Sequence, residues 1–258
     1  MKRILSTLAQ KWPEYLLEIL VLIIGIYGAF ALESWNEERN ESNQEQLILL
    51  QLQNEYQQNL QQLDQKIELR NFILMNCVKI LDMINEPESA SKDSLLSSLR
   101  YLMLTPTFDP ISSDVIISGN IRLVSNPRLK QLLQHWSSEV IQVQEEERKW
   151  DKIASEQLLP VFHEYGLGRF IATSVNVNNA DLQKVRELIL IDSTNHKVVV
   201  RIPKPTRELD MISLLENPHF DGLVTAGIQF NRVANSQSFI LRDKIVEILS
   251  IIENDLEE

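Results

Sequence analysis

The hydrophobic and polar positions of this chain follow one pattern near the N-terminus and another through most of the remainder. Residues 19–32 are fourteen consecutive positions without a charge, with an acidic residue on either side. A helix needs roughly 20 residues to cross the hydrocarbon core of a bilayer, and residues 16–35 supply such a stretch. The pattern therefore predicts a transmembrane helix over residues 15–35, with a short tail of residues 1–14 before it.

Aromatic residues mark both ends of the predicted span. Trp12 and Tyr15 lie at its start and Trp35 at its end, where amphipathic rings favour the membrane interfaces. A buried helix of a soluble protein is one alternative. A cleaved signal peptide, with residues 29–31 (Ala-Phe-Ala) as the cleavage site, is another. The long leader before the apolar run, and Glu18 within it, favour an uncleaved signal anchor.

The flanking charges predict the orientation of this anchor. Lys2, Arg3 and Lys11 precede the span, whereas residues 33–41 contain one Arg and four Glu. Lys and Arg accumulate on the cytoplasmic side of membrane helices. We therefore expect a cytoplasmic N-terminus and an outer domain, residues 36–258, in the periplasm if the cell has one.

Beyond the span, apolar residues recur every three or four positions, which is typical of amphipathic helices. No Gly or Pro occurs from residue 36 to residue 84, so we expect one long helix that leaves the membrane and ends before Pro87. A break near residues 40–43 is an alternative. Its other face is rich in Gln and Asn. The apolar positions are Leu49, Leu52, Tyr56, Leu60, Leu63, Ile67, Leu74, Cys77, Leu81 and Ile84.

The sequence leaves open which helices pack against this apolar stripe. A parallel coiled coil is one alternative, but Asn59, Lys66 and Arg70 interrupt a strict heptad seam. Packing against later helices of the same chain is the other. Since several amphipathic helices follow, we expect a mainly α fold in which an antiparallel helical bundle forms the outer domain.

Helix start and stop signals divide the rest of the chain. Ser91 can cap a helix over residues 92–103, and Asp109-Pro110 can start a short one that Gly119 closes. Two Asn-Pro pairs predict longer helices, because Asn caps free N–H groups and Pro suits the first turn. These start at Asn126-Pro127, running to about residue 159, and at Asn217-Pro218, running to about residue 255.

The two long later helices and the segment between them each carry a further pattern. The charged run of residues 145–149 is predicted to be a solvated face. In the last helix, the apolar stripe is predicted to consist of Ile240, Leu241, Ile245, Ile248, Leu249 and Ile252. Residues 160–205 are predicted to be an irregular insertion, compatible with a small β-hairpin near residues 188–202.

Composition narrows the function classes. The chain has 36 acidic and 25 basic residues, a net charge of -11, and an acidic domain without a basic stripe repels nucleic acid. The single cysteine, Cys77, excludes an intramolecular disulfide, and its place on an apolar helix face predicts a buried thiol.

No pattern of catalytic, cofactor-binding or metal-ligating residues is recognisable. The four histidines lack metal-ligand spacing, and Ser118-Gly119 lacks the preceding glycine of a nucleophile elbow. We therefore expect neither an enzyme nor a cofactor. The histidines are His135, His163, His196 and His219.

One face of the predicted membrane helix combines an acidic residue with small ones. Helical spacing places Glu18, Leu22, Gly25, Ala29 and Leu32 together, and small residues four apart let membrane helices approach closely. We expect this face to contact a second copy or another membrane protein. A Glu18 carboxylate at headgroup level is the simplest alternative, and ion coupling is a further one.

The membrane exit also carries a family resemblance. Residues 18–26 (EILVLIIGI) followed by residues 31–38 (ALESWNEE) resemble uncharacterised single-pass membrane proteins of Gram-negative bacteria, grouped as a domain of unknown function. Residues 118–121 with Asn126 and Leu129, and residues 217–220, match more weakly. The resemblance implies an inner-membrane protein with one span and supplies no activity.

These observations favour a membrane-anchored helical scaffold or interaction protein that self-associates. The bilayer and a second copy or a membrane protein are its expected partners. Two alternatives are an extra-cytoplasmic sensor module, which a tail of about fourteen residues leaves without an output domain, and a single-span subunit of an ion-coupled complex that uses Glu18.

Overall fold

The computed structural model describes residues 2–111, 120–173 and 203–257, and it confirms a mainly helical protein without a strand among these residues. Two 3-10 turns (Pro87–Ser89 and Asn120–Leu123) and one π turn (Ala154–Leu158) connect the helices. The α-helices are α1 (Lys2–Asn85), α2 (Lys92–Leu102), α3 (Pro127–Ile153), α4 (Leu159–Glu164), α5 (Leu167–Thr173), α6 (Met211–Leu215) and α7 (Pro218–Glu257).

Three predicted elements differ from the structure or lie outside the described residues. The chain is not helical at Pro110 and Ile111, so the predicted start of the short helix is wrong, and its continuation to Gly119 lies outside the described residues. Residues 160–173, expected to be irregular, form α4 and α5. The hairpin predicted near residues 188–202 falls outside the described residues.

Helix α1 is continuous over 84 residues, which corresponds to about 126 Å at 1.5 Å per residue. The break considered at residues 40–43 is absent, because this stretch contains neither Gly nor Pro. The helix ends at Asn85, before Pro87. Every described side chain from residue 17 to residue 44 is exposed, and the first buried one is Ile48. The N-terminal part of α1 therefore projects from the folded domain.

The three long helices α1, α3 and α7 pack side by side. Helix α7 runs antiparallel to α1, since Arg242 binds Asp64 and Asn235 binds Arg70. Helix α3 runs parallel to α1, since Tyr56 meets Trp136 edge to face, with ring centroids 4.8 Å apart, and Arg70 pairs with Glu147 farther along both helices. The outer part of α1 is thus one wall of the domain and also its connection to the apolar N-terminal segment.

Two apolar clusters form the core. One lies near the projecting part of α1 and contains the buried Leu49, Leu52, Leu133 and Ile245. The predicted apolar stripe of α1 is largely buried, but Ile240 is 48% exposed, so its assignment to the apolar stripe of α7 is wrong. The second cluster lies farther along and includes Cys77, Leu99, Trp150, Phe162 and Leu214.

Both Asn-Pro pairs start helices with the same cap. The Asn126 side chain accepts hydrogen bonds from the N–H groups of Arg128 and Leu129, at 3.0 and 3.2 Å. The Asn217 side chain accepts from His219 and Phe220 in the same way, at 2.9 and 3.4 Å. These bonds satisfy free N–H groups of the first turn, which explains why both predicted starts are confirmed.

Gly227 marks the closest approach of α7 to the second cluster. A Cβ atom there would lie 3.0 Å from Trp150, 3.1 Å from Leu102 and 3.3 Å from Cys77.

We expect Gly227→Leu to destabilise the protein by about 2 to 3 kcal/mol, because three packed neighbours must move. Urea unfolding measures the loss. Gly222→Leu is the matched control, since nothing lies within 4 Å of a Cβ at that position of α7; equal losses in both variants would contradict the packing argument.

Candidate functional site

Among residues 2–111, 120–173 and 203–257, nothing buries the apolar segment of α1. Leu22 is 62% and Leu32 66% exposed, and no atom lies within 4 Å of a Cβ built on Gly25. Ala29 is exposed as well. Within the described residues, α1 is the one helix long and apolar enough to cross a membrane.

The predicted contact residues keep their helical spacing in α1. Gly25, Ala29 and Leu32 are three or four residues apart along an unbroken helix and so share one face. Trp35, an expected interface anchor, is 62% exposed. For Trp12, Tyr15 and Glu18 the structure describes the helical backbone alone. The role of this face in helix contact therefore remains a prediction.

A second feature, which sequence reasoning missed, is a buried charged pair at the centre of the domain. Arg70 of α1 forms an ion pair with Glu147 of α3, and both residues are at most 3% exposed. Arg70 binds Glu147 through Nη2, and its Nη1 donates to Asn235 Oδ1 at 3.2 Å and to Ser238 Oγ at 2.9 Å, both on α7. One side chain thus connects all three long helices.

The pair also fixes a non-helical segment, residues 104–111. The second carboxylate oxygen of Glu147 accepts a hydrogen bond from Phe108 N at 2.8 Å, and Gln144 donates to Phe108 O at 2.9 Å. Asn59 of α1 accepts from Ile111 N at 2.8 Å and donates to its carbonyl at 3.3 Å. Because buried backbone groups need partners, these side chains are what allow a segment without regular structure to lie on α1 and α3.

Burial and the charge of the partner shift the pKa values of Arg70 and Glu147 in opposite directions. Burial raises the pKa of Glu147, and the Arg70 charge and the bond from Phe108 N act against that rise. Burial likewise lowers the pKa of Arg70, against the attraction of Glu147. The half-buried Lys66 has a lowered pKa, mainly through burial. Removing these charges from water is therefore costly, and the cost is offset by a nearly complete set of partners.

Spacing could have revealed Glu147. The residue lies in the charged run that was predicted to be solvated, and this prediction is wrong for Glu147 alone of that run's acidic residues. Val140, Val143 and Trp150 are buried on the same face of α3, and Glu147 falls on their three-to-four spacing. Arg70 similarly occupies a gap in the α1 stripe. A charged residue at a stripe position on each of two helices was the signal.

The described residues also form two surface grooves. One, of about 190 Å³, lies between α3 and α7 beside His135 and Trp136, where Lys244 and Glu139 form an ion pair. The other, of about 500 Å³, lies beside α4 and α5 and is bordered by His163 and Arg207. Both grooves are open at the surface, and the polar groups that line each of them come from separate segments of the chain.

The remaining candidate groups do not converge. Cys77 is buried, as expected, and burial raises its thiol pKa to about 12, so the thiol is protonated and unreactive at neutral pH. His135, His163 and His219 lie on different helices, while His196 falls outside the described residues. The described part of the chain holds no group of three or more His, Cys, Asp or Glu that could bind a metal ion.

Comparison with known proteins adds no relationship. No protein-family model, curated protein or solved structure matches this chain. The resemblance at the membrane exit therefore stays a prediction, and the functional argument rests on the geometry of α1 and of the domain it carries.

Proposed function

We propose that the protein is a single-pass membrane anchor that carries a helical interaction domain and self-associates through the anchor. One observation carries the proposal: α1 is a single helix whose apolar segment is exposed and packs against none of the other described residues, while its later turns form a wall of the core. Lipid or another membrane helix is the natural environment for such an exposed apolar segment.

The continuity of α1 gives the anchor a mechanical property. Residues 36–44 lie between the apolar segment and the domain, and all are exposed and helical. At 1.5 Å per residue they separate the membrane from the domain by about 14 Å. Because a helix resists bending more than a flexible linker does, the domain keeps a fixed distance and orientation. A scaffold that presents a surface to a partner benefits from this rigidity.

Self-association is the second part of the proposal. The face formed by Gly25 and Ala29 allows close approach of two backbones, and Glu18 supplies a polar group near one end of the span. Neither part of the proposal requires a catalytic group. The charge asymmetry around the span supports a cytoplasmic N-terminus and a periplasmic domain.

Protease protection tests the anchor and its orientation. In intact spheroplasts, we expect added protease to remove a tag after residue 258 and to spare a tag before Met1. The protein should also remain in the membrane fraction after alkaline carbonate extraction. Permeabilised cells, in which both tags are cleaved, are the control. A protein released by carbonate would refute the anchor, and the opposite tag pattern would refute the orientation alone.

A further inference from the structure

Among the described residues, nothing covers one face of the outer part of α1. Leu47 is 68% and Leu50 52% exposed, whereas Leu49 and Leu52 are buried against α3 and α7. At 100° per residue, the exposed pair lies on the side of α1 opposite to the buried pair. This outward face, which we call the outer strip, continues through Asn36, Asn40, Asn43, Asn54 and Gln61, all of them exposed.

The residues that make up the outer strip carry no charge, and its outer half, from Leu47 onward, has few charged neighbours. From residue 46 to residue 63, five helical turns, Glu55 is the one charged residue. It lies off the strip and receives a hydrogen bond from Gln51 at 2.8 Å. Charged residues make up 24% of the chain, and the net charge is -11. An identical acidic molecule would be repelled by most of this surface, but not by a face of Leu, Asn and Gln.

The strip is aligned with the small-residue face of the apolar segment. Eighteen residues are about five turns of an α-helix, so positions that differ by eighteen lie on the same side. Ala29 and Leu47 are such a pair, as are Leu32 and Leu50. Because α1 is unbroken between them, the two faces form one line along the helix.

We propose that α1 pairs with α1 of a second copy as a parallel, in-register coiled coil that continues out of the membrane along the outer strip. The inference rests on the proposed self-association and extends it beyond the bilayer. Two copies inserted in the same direction can only present this line to each other in parallel. Leu47 and Leu50 then pack against their counterparts, with the domains on the outside.

The polar residues of the strip set the register of the pair. Asn side chains at seam positions pair best with each other, which specifies the alignment of a two-stranded coil at a cost in affinity. Asn40 and Asn43 precede the two leucines, and Asn54 follows them. The outer contact is therefore a weak one that the membrane segment supports by holding two copies at high local concentration.

Cysteine scanning of the full chain in native membranes tests the pairing. In a parallel in-register pair, identical seam residues lie within the short Cα separation that a disulfide needs. With a mild oxidant, Asn43→Cys and Leu47→Cys should form crosslinked dimers, and so should Ala29→Cys inside the span. Glu38→Cys and Glu41→Cys are the matched controls, because they are exposed on the opposite side of the same helix turns and should stay monomeric. The native Cys77 is buried, so the unmodified protein gives the baseline.

Each result distinguishes between the inference and the proposed function. Crosslinks at Ala29→Cys without any at Asn43→Cys or Leu47→Cys would overturn the outer coil and leave membrane self-association intact. No crosslink at any position would overturn both. Equal crosslinking at strip and control positions would indicate random collision and would also overturn the outer coil.

A charge placed in the seam gives an independent measurement. Leu47→Glu brings two like charges together, and we expect the full chain in detergent to dimerise at least about tenfold more weakly. Ser42→Glu adds the same charge to an exposed position away from the strip and should leave dimerisation unchanged. Since Leu47 is exposed, circular dichroism should show the same helix content in both variants. Equal dimerisation of Leu47→Glu and the unmodified protein would reject the seam.

Discussion

Replacing Glu147 with Gln is expected to destabilise the domain by about 3 to 5 kcal/mol, because the Arg70 guanidinium then stays buried without a counter-charge. Arg70 is 1% exposed and cannot turn to water without opening the contact between α1 and α3. The two carboxylate oxygens of Glu147 accept from Arg70 and from Phe108 N, whereas the Gln amide has a single accepting oxygen for both donors. Urea unfolding of the full chain in detergent measures the change in the unfolding midpoint.

Cys77 offers a second readout of the same loss. Its thiol is buried and protonated in the folded protein, so alkylation proceeds through opening of the domain. We expect Glu147→Gln to accelerate labelling in step with its loss of stability. A faster labelling rate without a shift in the urea midpoint would place the opening near Cys77 and not at the pair.

Two control variants separate the effect of burial from that of charge. Glu247→Gln breaks the exposed ion pair that Arg128 of α3 forms with Glu247 of α7, and it should cost less than about 1 kcal/mol. Arg70→Met combined with Glu147→Leu removes both buried charges and should recover most of the lost stability, since apolar pairs can replace buried ion pairs. If the double variant is as unstable as Glu147→Gln, the hydrogen bonds to residues 104–111 and to α7 outweigh the unpaired charge.

The ends of the helices could be predicted where they depend on residues close to them in sequence. Pro87 ends α1 and Asn126 and Asn217 start α3 and α7, because each acts on backbone groups within a few residues of itself. The three-to-four spacing of apolar residues likewise identified the stripe of α1. Such signals require no knowledge of the neighbouring helices.

The errors concern residues whose environment depends on a partner helix. Ile240 directly precedes Leu241 of the buried stripe, but it lies about 100° away around α7, on a side that stays exposed. The positions of α1 and α3 determine which side of α7 is buried. Glu147 and Arg70 are each unfavourable in a core, and only their meeting across two helices makes both burials tolerable. Residues 104–111 similarly depend on side chains that are distant in sequence, such as Asn59 and Gln144. A one-dimensional pattern contains none of these pairings.

Filling the small-residue face of the membrane segment should have the largest effect on assembly. We expect Gly25→Leu combined with Ala29→Leu to weaken dimerisation by roughly tenfold to a hundredfold. In lipid, apolar side chains gain little by leaving hydrocarbon, so close packing and polar contacts must supply the association energy. Added side chains at Gly25 and Ala29 hold the two backbones apart.

Matched substitutions show whether the position of the added bulk matters. Ala31→Leu adds the same atoms two residues away, on the other side of α1, and Leu20→Ala removes bulk from that other side. Both should leave the dimer unchanged. Glu18→Gln should also preserve assembly if the residue acts by hydrogen bonding alone.

Mass measurements in several mild detergents and in lipid nanodiscs decide the question. A dimer of the unmodified protein that is lost in the Gly25 and Ala29 variant and kept in Ala31→Leu supports contact through the small-residue face. An unmodified protein that is monomeric in every one of these environments contradicts self-association. The exposed segment of α1 would then serve as an anchor only, and Glu18 would be an acid at the level of the headgroups.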